Sequence, residues 1–113
     1  MVSKSTVQLG FRFPVRYLPQ LNERVKASRR SRASWCRWAI TGYYNERQEL
    51  EPPVKKFLFY NRIERERERL AGKSEVITAR LPGELAAGIR ELASRDGNTV
   101  SEWLAVGILR ALC

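Results

Sequence analysis

The sequence predicts a mostly α-helical chain with one two-stranded antiparallel ribbon, built from a strand–helix–helix unit used twice. Three observations predict it. The run "EVITARLP" has apolar Ile77, Ala79 and Leu81 at alternate positions and closes on Pro82, the pattern of a short half-buried strand. A single strand cannot satisfy its own backbone N–H and C=O groups, so it requires a partner. Shifting the sequence by 68 residues lays "QLGFRFP" (Gln8 to Pro14) over "VITARLP" (Val76 to Pro82) without a gap. The same shift superposes Tyr17 on Leu85, Leu21 on Ile89, Val25 on Ala93, Ser31 on Thr99, Trp35 on Trp103 and Ile40 on Ile108. A single register of that length marks an internal duplication, and the partner strand is the other copy.

Each proline is followed by a helical pattern. Tyr17, Leu21 and Val25 recur at helical spacing in the first copy, as do Leu85, Ile89, Leu92 and Ala93 in the second. Pro19 falls near the start of the first helix, where its missing N–H would have had no intrahelical partner. In the second copy "RDGNT" supplies a stop, with Gly97 suited to a left-handed C-cap, and "TVSE" (Thr99 to Glu102) is a capping box that opens another helix. In the first copy Ser31 is the N-cap, with Ser34 in place of the box glutamate, and the helix it opens is expected to end near Tyr43–Tyr44. Trp35, Trp38 and Trp103 are expected in the core. Between the copies, Pro52-Pro53 precedes an expected connecting helix over 54–70, rich in Glu-Arg pairs and ended by Gly72. Its aromatic run Phe57–Tyr60 is too apolar to be left in water. The organisation is therefore copy 1 over 7–44, linker over 45–74 and copy 2 over 75–113, folded as one compact domain.

The 113 residues carry a formal charge of +9, and its distribution is uneven. Residues 1–44 hold nine Lys/Arg against one Glu, residues 45–74 eight against six, and residues 75–113 four against five. A basic face on the first segment favours a polyanion, most often nucleic acid, although an anionic membrane surface or simple solubility would also suit it. No apolar run reaches the ~18 residues of a membrane span, and residues 1–10 have no apolar signal core, so a cytoplasmic, nucleoid-associated protein is expected. The absence of histidine removes the commonest general base and metal ligand, so neither enzymatic activity nor a metal or cofactor is expected. Cys36 and Cys113 are read as two reduced thiols.

The strand ending in proline and the helix openings "TVSEWLAVGI" (Thr99 to Ile108) and "SRASWCRWAI" (Ser31 to Ile40) resemble the ribbon-helix-helix superfamily of DNA-binding proteins. The resemblance covers about two thirds of the chain. Members normally carry one copy and form homodimers, so two copies imply a tandem pseudo-dimer within one chain, as in accessory proteins of conjugative-plasmid relaxosomes. The resemblance also implies that the ribbon enters the major groove of double-stranded DNA and that outward strand side chains read base edges. Alternation alone assigns the outward set: Gln8, Gly10 and Arg12 on one strand, Val76, Thr78 and Arg80 on the other. Arg12 and Arg80 suit guanine, Gln8 adenine, and Val76 or Thr78 a thymine methyl, while Gly10 offers no side chain. The N-termini of the second helix of each copy would grip phosphate through Arg29, Arg30, Ser31 and Arg32 on one side and Thr99 and Val100 on the other. That grip is expected to be lopsided, because the arginines belong to the first copy alone.

The expected function is sequence-specific DNA binding without catalysis, as a transcriptional regulator or repressor of phage, plasmid or bacterial origin. A relaxosome accessory role is its close variant, and an antitoxin-like protein-interaction module using Phe57–Tyr60 is the alternative class. The expected partner is double-stranded DNA, with no membrane and no small-molecule substrate, bound by a monomeric pseudo-dimer that could assemble cooperatively on it.

Overall fold

A computed structural model describes residues 6–49, 68 and 70–112. The chain runs β1 (Thr6–Pro14), a 3-10 turn (Val15–Tyr17), α1 (Leu18–Ser28) and α2 (Arg32–Glu49), then β2 (Ser74–Pro82), α3 (Gly83–Arg95) and α4 (Val100–Leu112). It is mostly helical, with β1 and β2 forming a two-stranded antiparallel sheet. The register sets Gln8 opposite Arg80, Gly10 opposite Thr78 and Arg12 opposite Val76. No helix among the described residues is long and apolar enough to cross a membrane.

The alternation in the strands becomes the sidedness of the ribbon. Phe11, Phe13, Ile77, Ala79 and Leu81 are buried and Leu9 is packed against them, while the intervening side chains are exposed. Full burial of a large apolar side chain such as Phe11 or Leu81 stabilises by ~1.5–3 kcal/mol, so a one-residue slip that turned this face to water would be strongly disfavoured. Pro19 lies in the first turn of α1, as its missing donor requires. Between α3 and α4 the chain reverses at Gly97, with φ +77. There the Asn98 N–H donates to the Ala93 carbonyl at 2.9 Å and the Gly97 N–H to that of Ser94 at 3.2 Å, a Schellman closure. The corresponding turn after α1 uses Arg29, with φ +58, where the second copy has glycine.

The helices close over the apolar side of the ribbon. α4 is buried nearly all round, from Trp103 through Leu109 and again at Leu112, which makes it the central helix. α2 lies across it. The Tyr43 ring meets Trp103 at a centroid distance of 4.6 Å. Gly107 gives Tyr43 its room, since a Cβ there would stand 3.0 Å from the ring, and Gly88 on α3 does the same for Tyr44, whose ring a Cβ would overlap.

Two expectations are corrected. α2 continues past Tyr43–Tyr44 to Glu49. The run "NERQE" contains no helix breaker, and its end is anchored where Arg47 donates to both carboxylate oxygens of Asp96, at 2.9 and 3.0 Å. Arg95 adds a bond to Asp96 and donates to the Arg47 carbonyl at 2.8 Å, capping the end of the helix. Trp38 is the second correction. Trp35 and Trp103 are core, but Trp38 is 53% exposed, its ring tilted against Trp35 at 5.8 Å. It stands at the rim of the buried stripe Trp35, Cys36, Ala39, Ile40 and Tyr43, one helical step too far round to reach the core. The expected connecting helix lies outside the described residues except at its end, where Leu70 packs on the core and Gly72 turns the chain with φ +98. The aromatic run Phe57–Tyr60 also lies outside them.

Candidate nucleic-acid interface

Three cross-strand pairs make up the outer face of the ribbon, and all six residues are exposed. At the centre Gly10 faces Thr78. A Cβ on Gly10 would meet only Val76 Cγ1, at 3.5 Å, so the backbone does not demand glycine there and the centre of the face simply lacks a side chain on that strand. To one side Arg12 faces Val76, which is 63% exposed and offers no acceptor. To the other side Arg80 faces Gln8. With the amide oxygen of Gln8 turned toward the guanidinium, it accepts from Nε and Nη2 of Arg80 at 3.0 Å each. Along the ribbon Arg12 and Arg80 are separated by four residue steps, ~14 Å at the rise of an antiparallel strand.

A helix N-terminus flanks each edge of this face. At the β1 edge, the backbone N–H of Arg12 donates to Ser101 Oγ in the first turn of α4, at 3.0 Å. At the β2 edge, the first turn of α2 borders Val76, Ile77 and Thr78 across a cleft of about 310 Å³, with Arg32, Ala33 and Cys36 on the helix side. The shift that relates the two copies sets Ala33 in the place of Ser101, so the second edge has no equivalent hydroxyl tie. Burial pushes the Cys36 thiol up to about 11, against the opposing pull of Arg32, so it is a protonated core side chain.

The two N-termini carry opposite charge. Thr99 caps α4 reciprocally: its Oγ1 accepts the Glu102 N–H at 3.1 Å, and Glu102 Oε1 accepts the Thr99 N–H at 2.9 Å. The Glu102 carboxylate therefore already occupies the positive end of the α4 dipole. Ser31 caps α2 by accepting the Ser34 N–H at 3.1 Å, and the first turn of α2 contains no acid. Arg29, Arg30 and Arg32 are exposed around it, and the Arg30 guanidinium lies 5.7 Å from the centre of the Trp38 ring. The lopsidedness expected from the arginines is thus increased by Glu102. Thr99 is exposed and Val100 half-buried beside that carboxylate, a poorer place for phosphate than Ser31 and Arg32.

The geometry brings all the base-reading candidates onto one face, with the phosphate candidates along its two edges. Ser101, which joins helix to ribbon, was missed from sequence because a serine one step inside a capping box reads as surface. The Gln8–Arg80 tie was also missed, although the 68-residue shift contains the signal for it: a symmetric antiparallel pairing of the two strands sets those residues opposite each other. No family model matches the chain, and no curated protein or solved structure matches it either.

Proposed function

We propose that the protein binds double-stranded DNA sequence-specifically as a tandem ribbon-helix-helix pseudo-dimer, with the ribbon in the major groove, and acts as a transcriptional regulator or repressor. The observation that carries this reading is the exposed ribbon face bearing two arginines, flanked on both edges by helix N-termini. A two-stranded ribbon fits the ~12 Å width of the major groove. Arg12 and Arg80 are then the guanine readers, and their separation of ~14 Å corresponds to about four base pairs at 3.4 Å per step. Gln8, Gly10, Val76 and Thr78 complete the exposed face on which the two arginines stand. Phosphate is held mainly at α2, by the first-turn N–H groups with Arg29, Arg30, Ser31 and Arg32, and weakly at Thr99 and Val100.

The pseudo-dimer reading is supported by the register, in which residues that the 68-residue shift equates lie symmetrically about the Gly10–Thr78 pair. Selection of bound duplexes from a random pool, followed by footprinting, tests the function: a recurrent, imperfectly palindromic site is expected, and recovery of no preferred sequence would contradict it. A second reading, capture of a protein partner, is favoured among the described residues by exposed Trp38 beside the cleft it shares with Gly42, Glu46 and Arg110. A relaxosome role differs from repression in what lies beside the bound site, a relaxase gene or a promoter.

A further inference from the structure

We infer that Gln8 does not read a base but is a positioning residue that holds Arg80 in a guanine-reading posture, so that the half of the DNA site under Arg80 is read more strictly than the half under Arg12. The inference rests on the DNA-reading proposal above and follows from an asymmetry in the ribbon. The two arginines occupy equivalent strand positions, but what faces them differs: Gln8 across from Arg80, Val76 across from Arg12.

The chemistry of the tie limits both partners. An amide oxygen has two lone pairs, and Gln8 commits both of them to the Nε and Nη2 hydrogens of Arg80 at 3.0 Å. Bidentate recognition of adenine needs that same oxygen for the N6 amino group, so Gln8 can read adenine only by releasing Arg80. Arg80 in turn spends two of its five N–H donors and keeps three, including the pair on the Nη1/Nη2 edge. That edge presents the two parallel donors that guanine O6 and N7 accept. A guanidinium already fixed by one edge loses less freedom when the other edge docks, whereas Arg12 must be ordered by the DNA itself.

Two measurements on the full-length protein test this. The first uses no DNA: solvent exchange of the arginine Nε–H groups followed by NMR. The Nε–H of Arg80 is expected to exchange about three- to tenfold more slowly than that of Arg12, and Gln8→Ala is expected to abolish the difference. Equal exchange in the unmodified protein would overturn the tie. The second measures base preference by selection from a random duplex pool with wild type, Gln8→Ala, Gln8→Glu, Arg80→Ala and Arg12→Ala. Gln8→Ala is expected to reduce the guanine preference that Arg80→Ala removes by about three- to tenfold, and to leave the preference that Arg12→Ala removes unchanged. Gln8→Glu, which keeps two acceptors facing the guanidinium, is expected to restore the preference even where its charge lowers overall affinity. If Gln8→Ala instead abolishes an adenine preference and spares both guanines, Gln8 is a base reader and the inference fails while the DNA reading stands. If wild type enriches no sequence, the DNA reading itself fails and the role of Gln8 falls with it, whatever the exchange rates.

Discussion

Gly10 and Thr78 stand directly opposite each other in the ribbon, and they are also residues that the 68-residue shift superposes. A strand pairing centred on equivalent residues satisfies both copies at once. The ribbon then needs no second chain, and the protein is expected to sediment as a monomer at micromolar concentration. A stable dimer with strands paired between chains would contradict this account of the ribbon.

Arg29 holds the left-handed conformation that Gly97 holds in the second copy. A side chain there costs ~1–2 kcal/mol relative to glycine. Arg29→Gly is therefore expected to raise stability by ~1 kcal/mol in denaturant titrations. It is also expected to weaken binding to all duplexes alike and to reduce the salt slope by ~1, because it removes a cation beside the α2 N-terminus. A strained arginine retained at this turn is explained if the charge has a use.

The helix starts rest on caps of different strength. Thr99→Ala is expected to cost ~1 kcal/mol, since it removes the acceptor for the Glu102 N–H, and Ser31→Ala the same or less. Unchanged denaturation midpoints in both variants would contradict these starts.

Local pattern made the strands, their sidedness and both caps legible in the sequence, because each is fixed by residues a few positions apart. The outward set Gln8, Gly10, Arg12, Val76, Thr78 and Arg80 followed from alternation alone. What was not legible depends on distant pairing. Arg47 and Asp96 are 49 positions apart, and nothing near either residue announces the bond that carries α2 on to Glu49. Trp38 failed for a different reason: spacing of three from Trp35 is compatible with either the core or its rim, and tertiary packing decides. Its equivalent after the shift, Val106, is buried, so the duplication itself pointed the wrong way.

Asp96 is fully buried, and burial alone would raise its pKa. The hydrogen bonds and charge of Arg47, with Arg95, outweigh this and hold the carboxyl below its ordinary value. A depressed folded-state pKa means that the stabilisation is complete above the unfolded value of ~3.9 and is lost as pH falls through the folded one. Wild type is thus expected to lose stability on acidification below about pH 4, and Asp96→Asn to show a shallower acid limb. At neutral pH the substitution is expected to cost ~3 kcal/mol, because it removes the buried carboxylate that faces the mostly buried Arg47 guanidinium. Chemical denaturation across pH 2.5 to 7, with both proteins, checks the sign and the size.

The central claim is that the ribbon reads bases and the α2 terminus holds phosphate, and binding on matched and scrambled duplexes at several salt concentrations tests it most directly. Arg12→Ala and Arg80→Ala are each expected to lose ~1–3 kcal/mol on the selected duplex and to relax preference at one base pair. Arg32→Ala is expected to weaken both duplexes about equally and to reduce the salt slope by ~1. If Arg12→Ala and Arg80→Ala both left specific affinity and base preference unchanged, the ribbon would not be the reading element and the claim would be contradicted.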